Sequence, residues 1–179
     1  MRSTFLTLIS AAALSGLALT LMGNNTPSPI FTTMLSQQQT LSPAINGRVV
    51  VGDISLANAQ ITRTLSIGRQ QFVSQVTTDA NGQFSFQVLT SDTQLLGNNT
   101  DRLWQDVSLV HEGQQYVLWY TAIDHEVDNY IVKDALSSLA CDLRSSESEF
   151  NITDKRRPGL PINVYSICDI NQSQKKPLS

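Results

Sequence analysis

The chain has 179 residues, which is enough for one domain of ordinary size with a substantial core. Hydrophobic residues make up 41% of it, which excludes a disordered chain, and charged residues make up only 15%, which is typical of an exported β-protein. A formal net charge of −3 gives no basis for nucleic-acid binding.

The first 23 residues are predicted to be a secretory signal peptide. Arg2 precedes an apolar run over residues 5–22, and a cut near residue 23 would remove both. The run is also close to the roughly 20 residues that span a bilayer, so an uncleaved membrane anchor is the alternative. We expect a periplasmic or secreted protein, whose contact with a membrane would be limited to this segment if it stays uncleaved.

Residues 24–43 are rich in Pro, Gln, Ser and Thr, and we interpret them as a flexible spacer. A domain is then predicted at residues 44–170, followed by a polar tail at 171–179. Short runs rich in β-branched and aromatic residues predict its strands. These runs lie at residues 45–51, 59–65, 72–77, 83–89, 104–111, 115–123, 136–143 and 162–168. Three polar stretches are predicted to be loops, at residues 92–102, 124–134 and 144–161.

A turn within residues 77–86 is the clearest local signal in the chain. Asp79 can bond to nearby backbone amides, and Gly82 can adopt a positive φ without a Cβ clash. Beyond the turn, Phe84 and Phe86 alternate with polar residues, which buries one face of the strand. About seven to eight short strands, regular turn signals and no long helix together predict an all-β fold, an antiparallel β-sandwich.

Cys141 and Cys168 are the only cysteines, and each falls in a predicted strand. In an exported protein a lone pair of thiols favours one disulfide, here between the penultimate and final predicted strands. Two buried free thiols are the alternative. The polar loop between the two strands is then expected to be held at both ends by the bridge.

Several segments resemble the carboxypeptidase regulatory-like, or transthyretin-like, β-sandwich superfamily. The segments are residues 47–50, 57–63 and 77–86, the last with the sequence TTDANGQFSF. Asn58 departs from that pattern, since a glycine is common at its position. The C-terminal half is similar to an uncharacterised family of bacterial exported proteins, a domain of unknown function. That similarity rests on residues 116–119, 139–143 and 167–168. The resemblance implies a transthyretin-like fold and export, and it implies no catalytic residue.

Neither histidine lies in a recognisable catalytic setting. His111 ends a predicted strand beside Glu112, and His125 lies in an acidic loop. A hydrolase triad needs a histidine held by a carboxylate and a nearby nucleophile, and the chain has no G-x-S-x-G motif. We expect a protein that is not an enzyme, and a hydrolase with an unrecognised site is the least favoured alternative.

The acidic residues Asp124, Glu126, Asp128 and Asp134 cluster in one predicted loop. We interpret them as a solvated acidic loop, because their spacing lacks the glycine and final glutamate of an EF-hand calcium site. Two thiols and two distant histidines also lack the spacing of a zinc site. We therefore expect no metal and no cofactor.

The aromatic residues Tyr116, Trp119 and Tyr120 are the candidate binding residues. Aromatic side chains on one strand can form a platform for carbohydrate or peptide, although such residues more often belong to a core. The first hypothesis is a non-enzymatic module that binds or supports an envelope protein or a glycan. The second is an accessory module that binds carbohydrate or peptide through an aromatic face. A contiguous exposed aromatic patch would favour the second.

Overall fold

Three β-sheets and one short helix make up the described part of the chain in this computed structural model. The structure describes residues 38–92, 101–124, 128–154, 157–170 and 174–177. The predicted signal peptide, most of the predicted spacer and His125 lie outside these residues. In the described ranges, no helix is long and apolar enough to cross a membrane.

The strands are short and follow one another closely along the chain. They are β1 (Gln38–Ser42), β2 (Ile45–Val51), β3 (Ile54–Ser55), β4 (Gln60–Ile67), β5 (Gln70–Thr77), β6 (Gln83–Phe86), β7 (Leu89–Asp92), β8 (Leu103–His111), β9 (Gln114–Ile123), β10 (Leu139–Asp142), β11 (Ser148–Asp154), β12 (Arg157–Ser166), β13 (Cys168–Asp169) and β14 (Gln174–Pro177). The helix α1 spans Asn129–Leu136.

The largest sheet has seven strands in the order β14-β11-β12-β9-β8-β4-β5, and every neighbouring pair is antiparallel. The β8–β9 hairpin turns at Glu112 and Gly113, whose φ angles are 52° and 78°. Two consecutive positive φ angles are those of a type I′ turn, which matches the twist of the strands it joins. The turn lies between the strands predicted at residues 104–111 and 115–123.

A five-stranded sheet places β2 at its centre. On one side β2 pairs with β6 and β3, and on the other it pairs with β10, which continues to β13. The β2–β10 pair is parallel, whereas the other strand pairs of the described residues are antiparallel. Strands β1 and β7 form a separate two-stranded sheet.

Side chains from the inner faces of the two larger sheets form the hydrophobic core. Alternate residues of each strand point inward, as the period of two requires. Phe86 and Val49 come from the five-stranded sheet, and Ile61, Trp119 and Phe150 come from the seven-stranded sheet. This arrangement confirms the predicted all-β, sandwich-like fold.

The ordered domain begins earlier than Ala44, the predicted start. Strand β1 lies inside the predicted spacer, and Leu41 within it is completely buried. Pairing with β7 explains this, since residues 38–42 gain ladder hydrogen bonds and bury an apolar side chain. The flexible spacer at residues 24–43 was predicted from composition alone, because residues 38–42 contain no apolar residue other than Leu41.

Two of the predicted loops contain regular structure. Residues 129–136 of the predicted acidic loop and its following strand form α1, which buries Val132 and Leu136. Asp128 precedes the helix and is itself buried, and its carboxylate accepts a hydrogen bond from the Asp124 amide at 3.0 Å. The prediction of a wholly solvated acidic loop is therefore wrong at this position.

Residues 144–161 were predicted to be an exposed loop, and most of them form β11 and the start of β12. Phe150 and Ile152 alternate with polar residues and are buried in the core. This stretch adds β11 to the predicted set. With the short strands β1, β3, β7, β13 and β14, the described residues contain fourteen strands instead of seven to eight. The apolar alternation was obscured by the high charge of the residues around it.

Candidate functional site

Three aromatic side chains form a row across the outer face of the seven-stranded sheet. Trp104 lies on β8, Tyr120 on β9 and Tyr165 on β12. The ring centroids are 5.9 Å apart between Trp104 and Tyr120, and 6.3 Å apart between Tyr120 and Tyr165. Trp104 is 49% exposed and Tyr120 is 37% exposed, so the row is open to solvent. We call Trp104, Tyr120 and Tyr165 the aromatic platform.

Strand register explains why these three rings meet. Tyr165 is the direct cross-strand partner of Tyr120. Trp104 pairs with Ala122, two residues beyond Tyr120, so its large ring reaches diagonally over the small alanine. The rings are tilted by 35° and 47° to their neighbours, so they are not stacked in parallel.

A bulge in β9 determines which aromatic residues face outward. Val107 pairs with Trp119, but the next residue, Ser108, pairs with Val117, so Leu118 is the extra residue. Leu118 and Trp119 are both fully buried, and Tyr120 then points to solvent. A bulge shifts the alternation of a strand by one residue, and here it divides the apolar residues of β9 between the core and the platform.

A polar groove of about 260 Å³ runs alongside the aromatic platform. Its lining includes Arg102, Thr121 and Asn163 in addition to the three rings. The Arg102 guanidinium donates a hydrogen bond to the carbonyl of Ala122, which fixes this cation at one end of the groove. The site thus combines open ring faces with hydrogen-bonding groups beside them.

A half-buried carboxylate lies next to the central ring. Asp106 is the cross-strand partner of Tyr120 on the side opposite Tyr165. Burial raises the pKa of Asp106, and a hydrogen bond from the Ser108 hydroxyl at 2.8 Å partly opposes that rise. The carboxylate can accept hydrogen bonds from the hydroxyl groups of a ligand that lies on the rings.

The structure separates the three predicted binding residues. Trp119 is 0% exposed and belongs to the core, so its assignment to a binding surface is wrong. Tyr116 is partly buried and packs against the core. Tyr120 lies on the exposed face, as a binding role requires.

Sequence reasoning missed Trp104 and Tyr165. Trp104 lies between the inward residues Leu103 and Gln105, so alternation within β8 indicates its outward direction. Tyr165 likewise lies between Val164 and Ser166, which are both buried. Their proximity to Tyr120 could not be predicted, because it depends on β12 pairing with β9 across more than forty intervening residues.

A family model matches residues 45–146, more than half of the chain, and its description is domain of unknown function (DUF6795). The chain belongs to this DUF6795 family. No curated protein and no solved structure matches it. Trp104 and Tyr120 lie within the stretch that matches the family, whereas Tyr165 lies beyond it.

The predicted disulfide between Cys141 and Cys168 is present. The two cysteines are direct cross-strand partners on β10 and β13, with their Cα atoms 4.0 Å apart. The bridge therefore joins the DUF6795 stretch to the segment that carries β11 and β12. It does not join the penultimate strand to the final one, because β14 follows β13. A disulfide is compatible with an oxidising, extracytoplasmic location.

A larger concavity of this DUF6795 protein, with a volume of about 770 Å³, lies mainly against the five-stranded sheet. It is lined mainly by small or polar residues such as Asn46, Ser85, Ser138 and Ala140. Phe84, its aromatic lining residue, is only 5% exposed, so it offers no open ring face. The smaller groove on the aromatic platform is therefore the better candidate site.

The titratable residues at the β8–β9 turn lie apart from the aromatic platform. The side chain of His111 lies 3.9 Å from the exposed carboxylate of Glu112 on the β8–β9 turn, away from the platform. In the described ranges, no three His, Cys, Asp or Glu residues are grouped closely enough to hold a metal ion.

Proposed function

We propose that this protein is a non-enzymatic binding module that holds a carbohydrate chain on the aromatic platform. The observation that carries the proposal is the open row of Trp104, Tyr120 and Tyr165 beside a polar groove. Aromatic faces pack against the C–H groups of sugar rings, while Asp106 and Asn163 can bond to hydroxyl groups at the edges.

A carbohydrate fits this surface better than a protein partner does. Specific protein interfaces bury about 800 Å² on each partner and have an apolar centre. The platform is a narrow row of three rings, and the groove beside it is lined by the polar side chains of Arg102 and Asn163. A long, hydroxyl-rich ligand would match both features, since it presents alternating apolar faces and polar edges.

Export of the mature protein to the periplasm or cell surface is part of the same proposal. It is supported by the apolar N-terminal run after Arg2 and by the disulfide between Cys141 and Cys168. A relationship to the transthyretin-like and carboxypeptidase regulatory-like superfamily is also proposed. It is supported by the sequence motif at residues 77–86 and by the sandwich-like arrangement of the two larger sheets.

A carbohydrate array tests the proposal. The purified protein, with its disulfide intact, would be applied to immobilised neutral and acidic polysaccharides beside immobilised peptides. We expect binding to one or more polysaccharides that is lost in Trp104→Ala. Tyr130→Ala is the matched control, because Tyr130 is an aromatic residue of similar exposure, 44%, on α1.

The outcomes of the array separate the hypotheses. Equal binding by wild type and Trp104→Ala would place the site elsewhere and overturn the proposal. Binding to peptides alone would overturn the choice of carbohydrate. A folded Trp104→Ala protein, verified by circular dichroism, is required for either conclusion.

A further inference from the structure

Strand β5 forms one edge of the seven-stranded sheet. It pairs with β4 over all eight of its residues, from Gln70 to Thr77, without a bulge. Among the described residues, no strand pairs with its other edge. An edge strand of this length presents a row of backbone donors and acceptors that can pair with another chain.

The edge lacks the features that usually prevent such pairing. Proteins protect edge strands with charged residues, prolines, bulges or very short strands. The sequence of β5 is QQFVSQVT, which contains no charge, proline or glycine. Val73 lies at its middle and is 59% exposed.

The backbone groups that point outward can be identified from the β4–β5 register. The amide of Thr78 donates to the carbonyl of Ala59 at 2.9 Å. Hydrogen-bonded and non-hydrogen-bonded pairs alternate along an antiparallel ladder, so Ser74 and the other even-numbered residues of β5 also bond to β4. The amides and carbonyls of Gln71, Val73 and Gln75 therefore face away from the sheet.

The charges at the two ends of β5 point to the occupant of this edge. Exposed Arg69 precedes the strand and exposed Asp79 follows it. In an antiparallel pair of two identical strands, Arg69 of each copy lies at the end where the other copy has Asp79. In a parallel pair, Arg69 would lie beside Arg69 and Asp79 beside Asp79, so that like charges would be adjacent. In the antiparallel register that pairs Val73 with Val73 of a second copy, Gln71 faces Gln75 and Arg69 lies diagonal to Asp79.

We propose that β5 pairs with β5 of a second copy of this chain about a two-fold axis at Val73. Antiparallel pairing of one strand with itself is a closed, self-complementary contact. The two copies would then share one continuous sheet. Because the axis is perpendicular to that sheet, both aromatic platforms would lie on the same side, which would strengthen binding to a long polysaccharide.

Sedimentation velocity of the purified protein across the micromolar range, without carbohydrate, tests the pairing. We expect a concentration-dependent dimer, since a strand pair buries little area and gives a modest affinity. Val73→Lys should yield a monomer, because it places two ammonium groups across the axis. Val110→Lys is the matched control: Val110 is 66% exposed but lies on β8 inside the sheet, and the variant should remain dimeric.

A second pair of variants covers a possible folding defect in Val73→Lys. Gln75→Pro removes an outward amide and leaves the backbone hydrogen bonds to β4 intact, although it loses the side-chain bond from Gln75 to the Thr62 hydroxyl at 3.3 Å. It should also give a folded monomer. Val73→Cys should form a disulfide-linked dimer under oxidising conditions, whereas Val110→Cys should not. A monomeric wild type at all concentrations would overturn the proposal, and so would a dimer that survives both Val73→Lys and Gln75→Pro. Neither result depends on carbohydrate binding.

Discussion

At Gly82 the backbone adopts a φ of 74°, and there is no space for a larger side chain. A Cβ at this position would collide with the carbonyl oxygen of Val49. The Asp79 carboxylate accepts hydrogen bonds from the amides of Asn81 and Gln83, both at 2.8 Å, and so closes the turn. The positive φ and the role of Asp79 were both predictable from the residue types. The collision with Val49 was not, because it depends on how β2 pairs with β6.

Gly82→Val should lower the free energy of unfolding by more than the roughly 1 to 3 kcal/mol of backbone strain, because the collision adds to that strain. Gly113→Val is the control, since Gly113 has a φ of 78° but no atom lies within 4 Å of the position that its Cβ would occupy. The free energy of unfolding of Gly113→Val should fall only by the contribution of backbone strain. Urea unfolding of both variants measures the difference, and equal losses would contradict the steric account.

The carboxylate of Asp106 should make stability depend on pH. Burial raises its pKa in the folded state, so the folded protein binds the proton more tightly than the unfolded chain does. The carboxyl group of Asp106 therefore makes its full contribution to stability at pH values below its unfolded pKa. That contribution is lost as the pH rises through the raised folded pKa. Asp106→Asn should be more stable than wild type at neutral pH, and the difference should disappear in acid. Thermal unfolding from pH values below the unfolded pKa of an aspartate up to neutral pH measures this, and a constant difference at every pH would exclude Asp106 as the cause.

At the scale of elements, strands with clear alternation were predicted well and polar ones were not. Residues 45–51 were predicted to be a strand, and β2 occupies the same residues. Strand β11 was missed because Phe150 and Ile152 lie among charged residues, and α1 was missed because its helical pattern is only two turns long. Strand β11 and helix α1 are both stabilised by contacts with distant parts of the chain, and a local sequence pattern cannot predict such contacts.

Removal of the disulfide should test how the C-terminal strands are held. The double variant Cys141→Ala, Cys168→Ala should lose about 3 kcal/mol of stability, as expected for a loop that closes over 27 residues. Because Phe150 and Val164 remain buried between the bridged positions, we expect the variant to fold. Urea unfolding with and without reductant measures the loss. A variant as stable as oxidised wild type would contradict a stabilising role for the bridge.

At the scale of the whole molecule, strand order creates the candidate site. Trp104, Tyr120 and Tyr165 lie on three strands that become neighbours only because β12 returns to pair with β9. The sequence indicates which residues face outward on each strand, but it does not contain the order of the strands. The sheet also brings Asp106 and the Arg102 guanidinium to the two sides of the row. The central claim is that this assembled surface binds a polysaccharide.

Titration calorimetry with the polysaccharide that binds best on the array tests this claim most directly. Wild type and Tyr130→Ala should bind with the same dissociation constant, whereas Trp104→Ala should bind at least tenfold more weakly, which corresponds to about 1.4 kcal/mol or more for an aromatic anchor. The intrinsic fluorescence of Trp104 should change in the same titration, while the buried Trp119 reports that the fold is intact. Unchanged affinity in a folded Trp104→Ala protein would contradict the account.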